Sequence, residues 1–142
     1  GQPLSTRDER VTSDYYDLVS VDAATANSAG LKADGTVVSN GLNVSDLANI
    51  LAIDCTPNGI YALDDGGRVH AVAFSYAHLP DVSDWTNIVA ISASATHVVG
   101  VTADGLVLAR GESKAGQCDT QEWVLFTPAP TATPEPSATP KP

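Results

Sequence analysis

The chain has 142 residues, 17 acidic against 7 basic side chains, a net charge of −10 and 43% apolar residues. That length suits one ordinary domain, and the apolar share is that of a globular chain rather than a disordered one. The acidity argues against nucleic-acid binding, which needs clustered Lys and Arg, and no run of 18 apolar residues exists to cross a membrane as a helix.

Residues 1–17 read as a lead-in that carries the end of a preceding unit. A first residue of Gly1 rather than Met, with no visible signal peptide, leads us to expect a processed or excised segment. Thr6-Arg7-Asp8-Glu9 resembles a helix cap, but no helical periodicity follows it. The first aliphatic run is Leu18-Val19-Ser20-Val21-Asp22, and a second spans Ala29 to Val38 with Asp34-Gly35 in its middle. Short, β-branched, alternating runs predict strands with one face in a core. Asp-Gly between two such runs predicts a two-residue hairpin turn. The pattern returns at Ile50-Leu51-Ala52-Ile53-Asp54 and Tyr61 to His70, where Gly66-Gly67 takes the turn. It returns again at Ile88-Val89-Ala90-Ile91-Ser92 and Val99 to Leu108, with Asp104-Gly105.

The spacing marks a repeat. The turn glycine follows the first aliphatic by 17 residues in every copy: Leu18 to Gly35, Ile50 to Gly67, Ile88 to Gly105. An acidic residue and a large apolar one precede each run, as Asp14-Tyr15, Asp46-Leu47 and Asp84-Trp85, and Glu122-Trp123 repeats this ahead of Phe126. The repeat domain is then 18–126, with units 18–49, 50–87 and 88–125. Units of this size with hairpin signals predict an all-β fold: three propeller-type blades of short antiparallel strands, an incomplete or open β-propeller. Trp85 and Trp123 are expected to fill the space between neighbouring blades, since one buried aromatic removes about 150–250 Å² from water.

Unit three reads His97-Val98-Val99-Gly100-Val101-Thr102-Ala103-Asp104-Gly105-Leu106-Val107-Leu108-Ala109-Arg110-Gly111, then Gly116-Gln117-Cys118-Asp119 and Trp123. It resembles the regulator-of-chromosome-condensation repeat in its compact bacterial form. The resemblance covers 14–126, is strongest in unit three, and is weakest in unit two, which lacks the His and the Gly-Gln pair. It implies a propeller, usually of seven blades, that recognises proteins through a loop-lined face. Three units fall short of a closed ring, so self-association through exposed blade faces and marginal stability of the isolated chain are expected.

Few residues suggest chemistry. His97 matches Asn27 and Gly59 of the other units and is expected to be structural, near a blade turn. His70 and His78 have no ligand cluster around them, so neither a metal nor a cofactor is expected. Gly111 to Gly116 misses the nucleophile-elbow pattern, and the acidic turns lack a calcium-loop spacing. Asn43-Val44-Ser45 fits a glycosylation sequon, meaningless in a bacterium. Cys55 and Cys118 read as free buried thiols. Unit two departs most from the repeat at Ala73 to Pro80, where Phe74, Tyr76 and His78 alternate with small residues. Either they form a partner-binding rim loop or they lie on a packed fourth strand.

Six of the nine prolines fall in 127–142, a Pro/Thr-rich segment that predicts an extended spacer of about 50 Å. Such spacers resemble those of exported Gram-positive proteins, and another domain or an anchor is expected beyond this one. The expected function is a non-enzymatic, secreted or cell-surface module that binds a protein partner. The alternative is a carbohydrate or cell-wall binding module attached to an exported enzyme. A hydrolase with Asp and His at the propeller centre is a third reading, which requires raised carboxylate pKa values there.

Overall fold

The computed structural model describes residues 16–112; Cys118, Trp123 and the Pro/Thr-rich segment lie outside them. Three antiparallel sheets of three strands follow one another along the chain. The first holds β1 (Leu18–Ala24), β2 (Asn27–Lys32) and β3 (Val37–Ser39). The second holds β4 (Ile50–Thr56), β5 (Gly59–Asp64) and β6 (Val69–Ala73), and the third β7 (Ile88–Ala93), β8 (His97–Thr102) and β9 (Val107–Gly111). Strand order equals chain order in each, so every unit is a meander. The molecule is an all-β array of propeller-type blades.

The second hairpin of each unit differs from the two-residue turn expected at Asp-Gly. The Gly35 N–H donates to the Lys32 carbonyl at 3.0 Å, and the Lys32 N–H to the Thr36 carbonyl at 2.9 Å. Only Gly35 has positive φ, at 84°, and Gly67 and Gly105 repeat this at 81° and 87°. This is a tight turn closed by one left-handed residue, the three-residue loop with a bulge. The glycine also lets chain pass close by, because a Cβ on Gly35 would stand 3.0 Å from the Asn49 backbone.

That approach joins the units. The Ile50 N–H donates to the Gly35 carbonyl at 2.9 Å, and the Ile88 N–H donates to the Gly67 carbonyl at the same distance. The residue before each first strand is also left-handed: Asp17, Asn49 and Asn87 have φ of 55°, 57° and 62°. Asp and Asn tolerate that conformation better than other residues with a Cβ. Their carbonyls accept the N–H of Ala33, Asp65 and Ala103, pinning each unit's entry to its own turn. One residue later a bulge interrupts every first pairing, between Leu18 and Ser20, Ile50 and Ala52, and Ile88 and Ala90.

The core is made at the junctions. Ala29, Leu31 and Val37 of unit one meet Ile50, Ile60 and Ala62 of unit two, with Val44 and Leu47 closing the outer side. Tyr61, Leu63 and Val69 then meet Ile88 and Val98 of unit three, with Val82 and Trp85 in the places of Val44 and Leu47. Strand β5 is therefore buried on both faces, Ile60 and Ala62 toward one neighbour and Tyr61 and Leu63 toward the other. The matching face of unit three is less buried. Val99, Val101 and Val107, the counterparts of Tyr61, Leu63 and Val69, are only half-buried.

Candidate functional site

The blades have two rims. One carries the turns after β1, β4 and β7; the other carries the glycine turns. Strand β6 ends at the first rim, and the segment after it is a loop rather than a fourth strand. Unit two carries six more residues than unit one between its turn glycine and its Val-x-x-Leu/Trp closure. The added residues hold Phe74 and Tyr76, whose rings stack at 5.3 Å between centroids and 5° between planes. Tyr76 is 73% exposed, Phe74 is half-buried beside Gly41 of unit one, and His78 is exposed.

The loop is held at both ends. The Phe74 N–H donates to the Asn58 carbonyl at 3.0 Å, and the Ala77 N–H closes a turn on the Phe74 carbonyl. Leu79 packs into the second core cluster. The buried Tyr61 hydroxyl donates to the Pro80 carbonyl at 3.1 Å, and burial pushes that phenol up to about 12. An aromatic pair on an anchored loop loses little freedom on binding.

The remaining sequence candidates have other places. His97 sits at the same rim, its Nδ1 2.8 Å from the Ser94 hydroxyl across a turn. Its counterpart Asn27 instead reaches the next unit, donating to the Thr56 carbonyl at 2.8 Å. Trp85 is 3% exposed, its ring lying over Gly100, where a Cβ would come within 2.7 Å of it. Gly35, Gly67 and Gly105 lie in the turns of the opposite rim. His70 of β6 bonds Asp64 of β5 at 2.8 Å, beside the glycine turn and away from the aromatic loop. Burial opposes ionisation of Asp64, yet His70 and the N–H groups of Gly66 and Arg68 hold it below its ordinary value.

The inner strands carry features that sequence reading missed. β1, β4 and β7 are neighbours across the junctions. At the bulge of each stands an exposed aliphatic: Val19 (65%), Leu51 (63%) and Val89 (52%). Three residues further on, Asp22 and Asp54 each reach the following unit. Asp22 Oδ2 accepts the Cys55 N–H and Asp54 Oδ2 the Ala93 N–H, both at 2.6 Å. Asp54 is raised to about 6, first by burial and then by Asp22 beside it, against the Ala93 hydrogen bond. Cys55 is a buried free thiol, pushed up to about 12 by burial and by both carboxylates, so it stays a thiol. The signal was the Asp ending two of three aliphatic runs.

No protein-family model matches the chain, and no curated protein matches it in sequence. Solved structures do match in fold. The CRINKLY WD40 ectodomain of the Arabidopsis thaliana receptor kinase ACR4 aligns with TM-score 0.53 and 12% identity over 66% of this chain and 36% of that one. Human WBSCR16 aligns with TM-score 0.52 and 16% identity over 76% and 38%. A chain in the crystal structure of Kap60 bound to yeast RCC1 (Prp20) aligns with TM-score 0.51 and 12% identity over 79% and 36%. The protein thus shares a propeller-type repeat fold with them and spans little more than a third of their length.

Proposed function

We propose that the chain is a non-enzymatic recognition module, built of regulator-of-chromosome-condensation-type repeats, that binds a protein partner at the rim bearing Phe74, Tyr76 and His78. The observation that carries this reading is the stacked, anchored aromatic pair on the loop where unit two departs from unit one. Aromatics on a rigid support are the usual anchors of a protein interface. The acidic surface adds a preference for a partner with a basic patch. The Pro/Thr-rich segment supports a secreted or cell-surface setting on an exported bacterial protein, with the repeat domain held at a distance by 127–142.

A photo-crosslinking residue placed at position 76 tests the reading in the native extracellular milieu, with one at position 65 on the opposite rim as control. Position 76 should capture a discrete protein, and Tyr76→Ala should weaken its binding roughly thirty-fold, about 2 kcal/mol. Equal capture at both positions, or binding indifferent to Tyr76→Ala, would refute it. The exposed ring also supports the second reading, a carbohydrate or cell-wall module, because an open aromatic face stacks on sugar rings. Glycan-array binding that Phe74→Ala abolishes, with no protein captured, would favour that reading.

A further inference from the structure

The second sheet ends on an open edge. β6 is the last strand in the order β4-β5-β6, so β5 alone pairs with it. The phase of that pairing is fixed at both ends. The Asp64 N–H donates to the Arg68 carbonyl at 2.9 Å, and the Phe74 N–H to the Asn58 carbonyl at 3.0 Å. The register between them is unbroken, from Leu63 opposite Val69 to Gly59 opposite Ala73. Antiparallel pairing alternates, so His70 and Val72 turn their backbone groups to β5, while Val69, Ala71 and Ala73 turn theirs away from it. No described residue bonds those outward groups. Folded proteins usually blunt an edge with a bulge, a proline or a lysine. Val69-His70-Ala71-Val72-Ala73 has none of these.

We propose that this edge docks an extended, basic peptide segment of a partner, which joins the sheet as a fourth strand. A groove of about 380 Å³ runs along β6, walled by Asp46 and Leu47 and by Asp81, Val82 and Ser83. Leu47 shares the first core cluster with Val72, and Val82 shares the second with Val69, so the two walls flank β6 on its two faces. The walls choose the occupant. Asp46 and Asp81 are exposed, one on each flank. Asp46 forms no ion pair among the described residues. The Asp81 carboxylate takes the Ser83 N–H at 2.9 Å, while Arg110 is held by the Asp84 carboxylate and the Asp81 backbone carbonyl. Alternate side chains of an added strand point to opposite flanks, so Lys or Arg can reach either carboxylate. A second copy fits poorly, because β6 against β6 would bring the same acids together. The other last strands suit a basic segment less: β3 has 3 residues, and β9 carries Arg110. Backbone bonds supply the affinity here, and the flanking charge the preference. The site uses neither the Phe74 nor the Tyr76 ring, so it is independent of recognition at the rim.

The probe is a fluorescein-labelled peptide, Lys-Val-Lys-Val-Lys-Val-Lys, titrated against the whole chain and followed by anisotropy and by NMR of the β6 amides. It should bind saturably, and the Ala71 amide should gain protection from exchange. N-methylation throughout the probe keeps its charge and removes its donors, and should weaken binding at least about tenfold. Ala71→Pro removes an N–H that the fold does not use, at an edge where proline is tolerated, and should cause a similar loss. An NMR spectrum unchanged away from β6 shows that this variant is folded. Asp46→Asn combined with Asp81→Asn should weaken binding about tenfold, and a probe with Glu in place of Lys should not bind. Tyr76→Ala should leave the affinity unchanged, which separates this site from the rim. Absence of saturable binding, equal binding of the N-methylated probe, equal binding by Ala71→Pro, or self-association of the free chain that Ala71→Pro abolishes would each overturn the proposal. Should Ala71→Pro not fold, the N-methylated probe decides alone.

Discussion

The two junctions share a backbone and differ in filling. Both are closed by the same bond, a first-strand N–H to the preceding turn glycine's carbonyl at 2.9 Å. Yet the first is packed with aliphatics around Leu47, while the second takes Trp85 and Tyr61. Unit two also carries the extra residues with the aromatic pair, of which Phe74 lies beside Gly41 of unit one while Leu79 packs into the second core cluster. A repeat holds its register through backbone geometry, which leaves side chains and loop length free to vary. Specialisation at unit two costs nothing in the connections that join it to its neighbours.

The largest test of this difference is truncation. Trp85→Ala should lower stability by about 3–5 kcal/mol, whereas Leu47→Ala at the matching position should cost about 2–3 kcal/mol, both read by chemical denaturation. Equal losses would erase the distinction. Overfilling is the next probe. Gly100→Ala places a methyl 2.7 Å from a ring wedged between blades, and should cost about 1–3 kcal/mol. Gly30→Ala meets Leu18 at the same distance, but that is the end of a flexible side chain, so the loss should stay below about 1 kcal/mol.

A pH profile sharpens the comparison further. Asp54, raised from 3.8 to about 6, favours the folded state fully below 3.8 and loses that contribution as the pH rises through 6. After allowance for solvent screening this is about 1 kcal/mol. Asp64 and Asp84 act in the opposite sense. The hydrogen bond from Arg110 holds Asp84 below its ordinary value, and those from His70 and backbone N–H groups outweigh burial at Asp64. Their contributions are present above 3.8 and lost as the pH falls below it. Denaturation midpoints should therefore peak between about pH 4 and 5. A plateau from 5 to 8 would contradict the assignment of Asp54. The smallest effect belongs to Tyr76→Ala, which should change stability by less than about 0.5 kcal/mol, because the side chain is 73% exposed.

The blades were legible in the sequence because strand alternation, turn glycines and boundary residues recur at fixed offsets. The turn type was not. Asp34-Gly35 suggests a two-residue loop, but strand pairing from Leu31 to Val37 puts Asp34 inside a longer one. The left-handed Asn49 and Asn87 could have been noticed as Asn before each aliphatic run, yet only the carbonyl acceptors across the unit explain them. Alternation of Phe74, Tyr76 and His78 imitates a strand, while the Phe74–Ala77 turn bends the chain out of any ladder. The cross-junction bonds of Asp22 and Asp54 were the least legible part, since they exist only once blades are stacked in register.

Amide hydrogen exchange at Ile50 and Ile88 tests the stacking itself most directly. Each N–H lies at the start of a strand and donates to a carbonyl of the preceding unit. If the units are packed blade on blade, both amides exchange as slowly as the centre of β5, through global unfolding. Exchange near the intrinsic rate at either one, with β5 still protected, would mean that the units are separate sheets and would contradict the account.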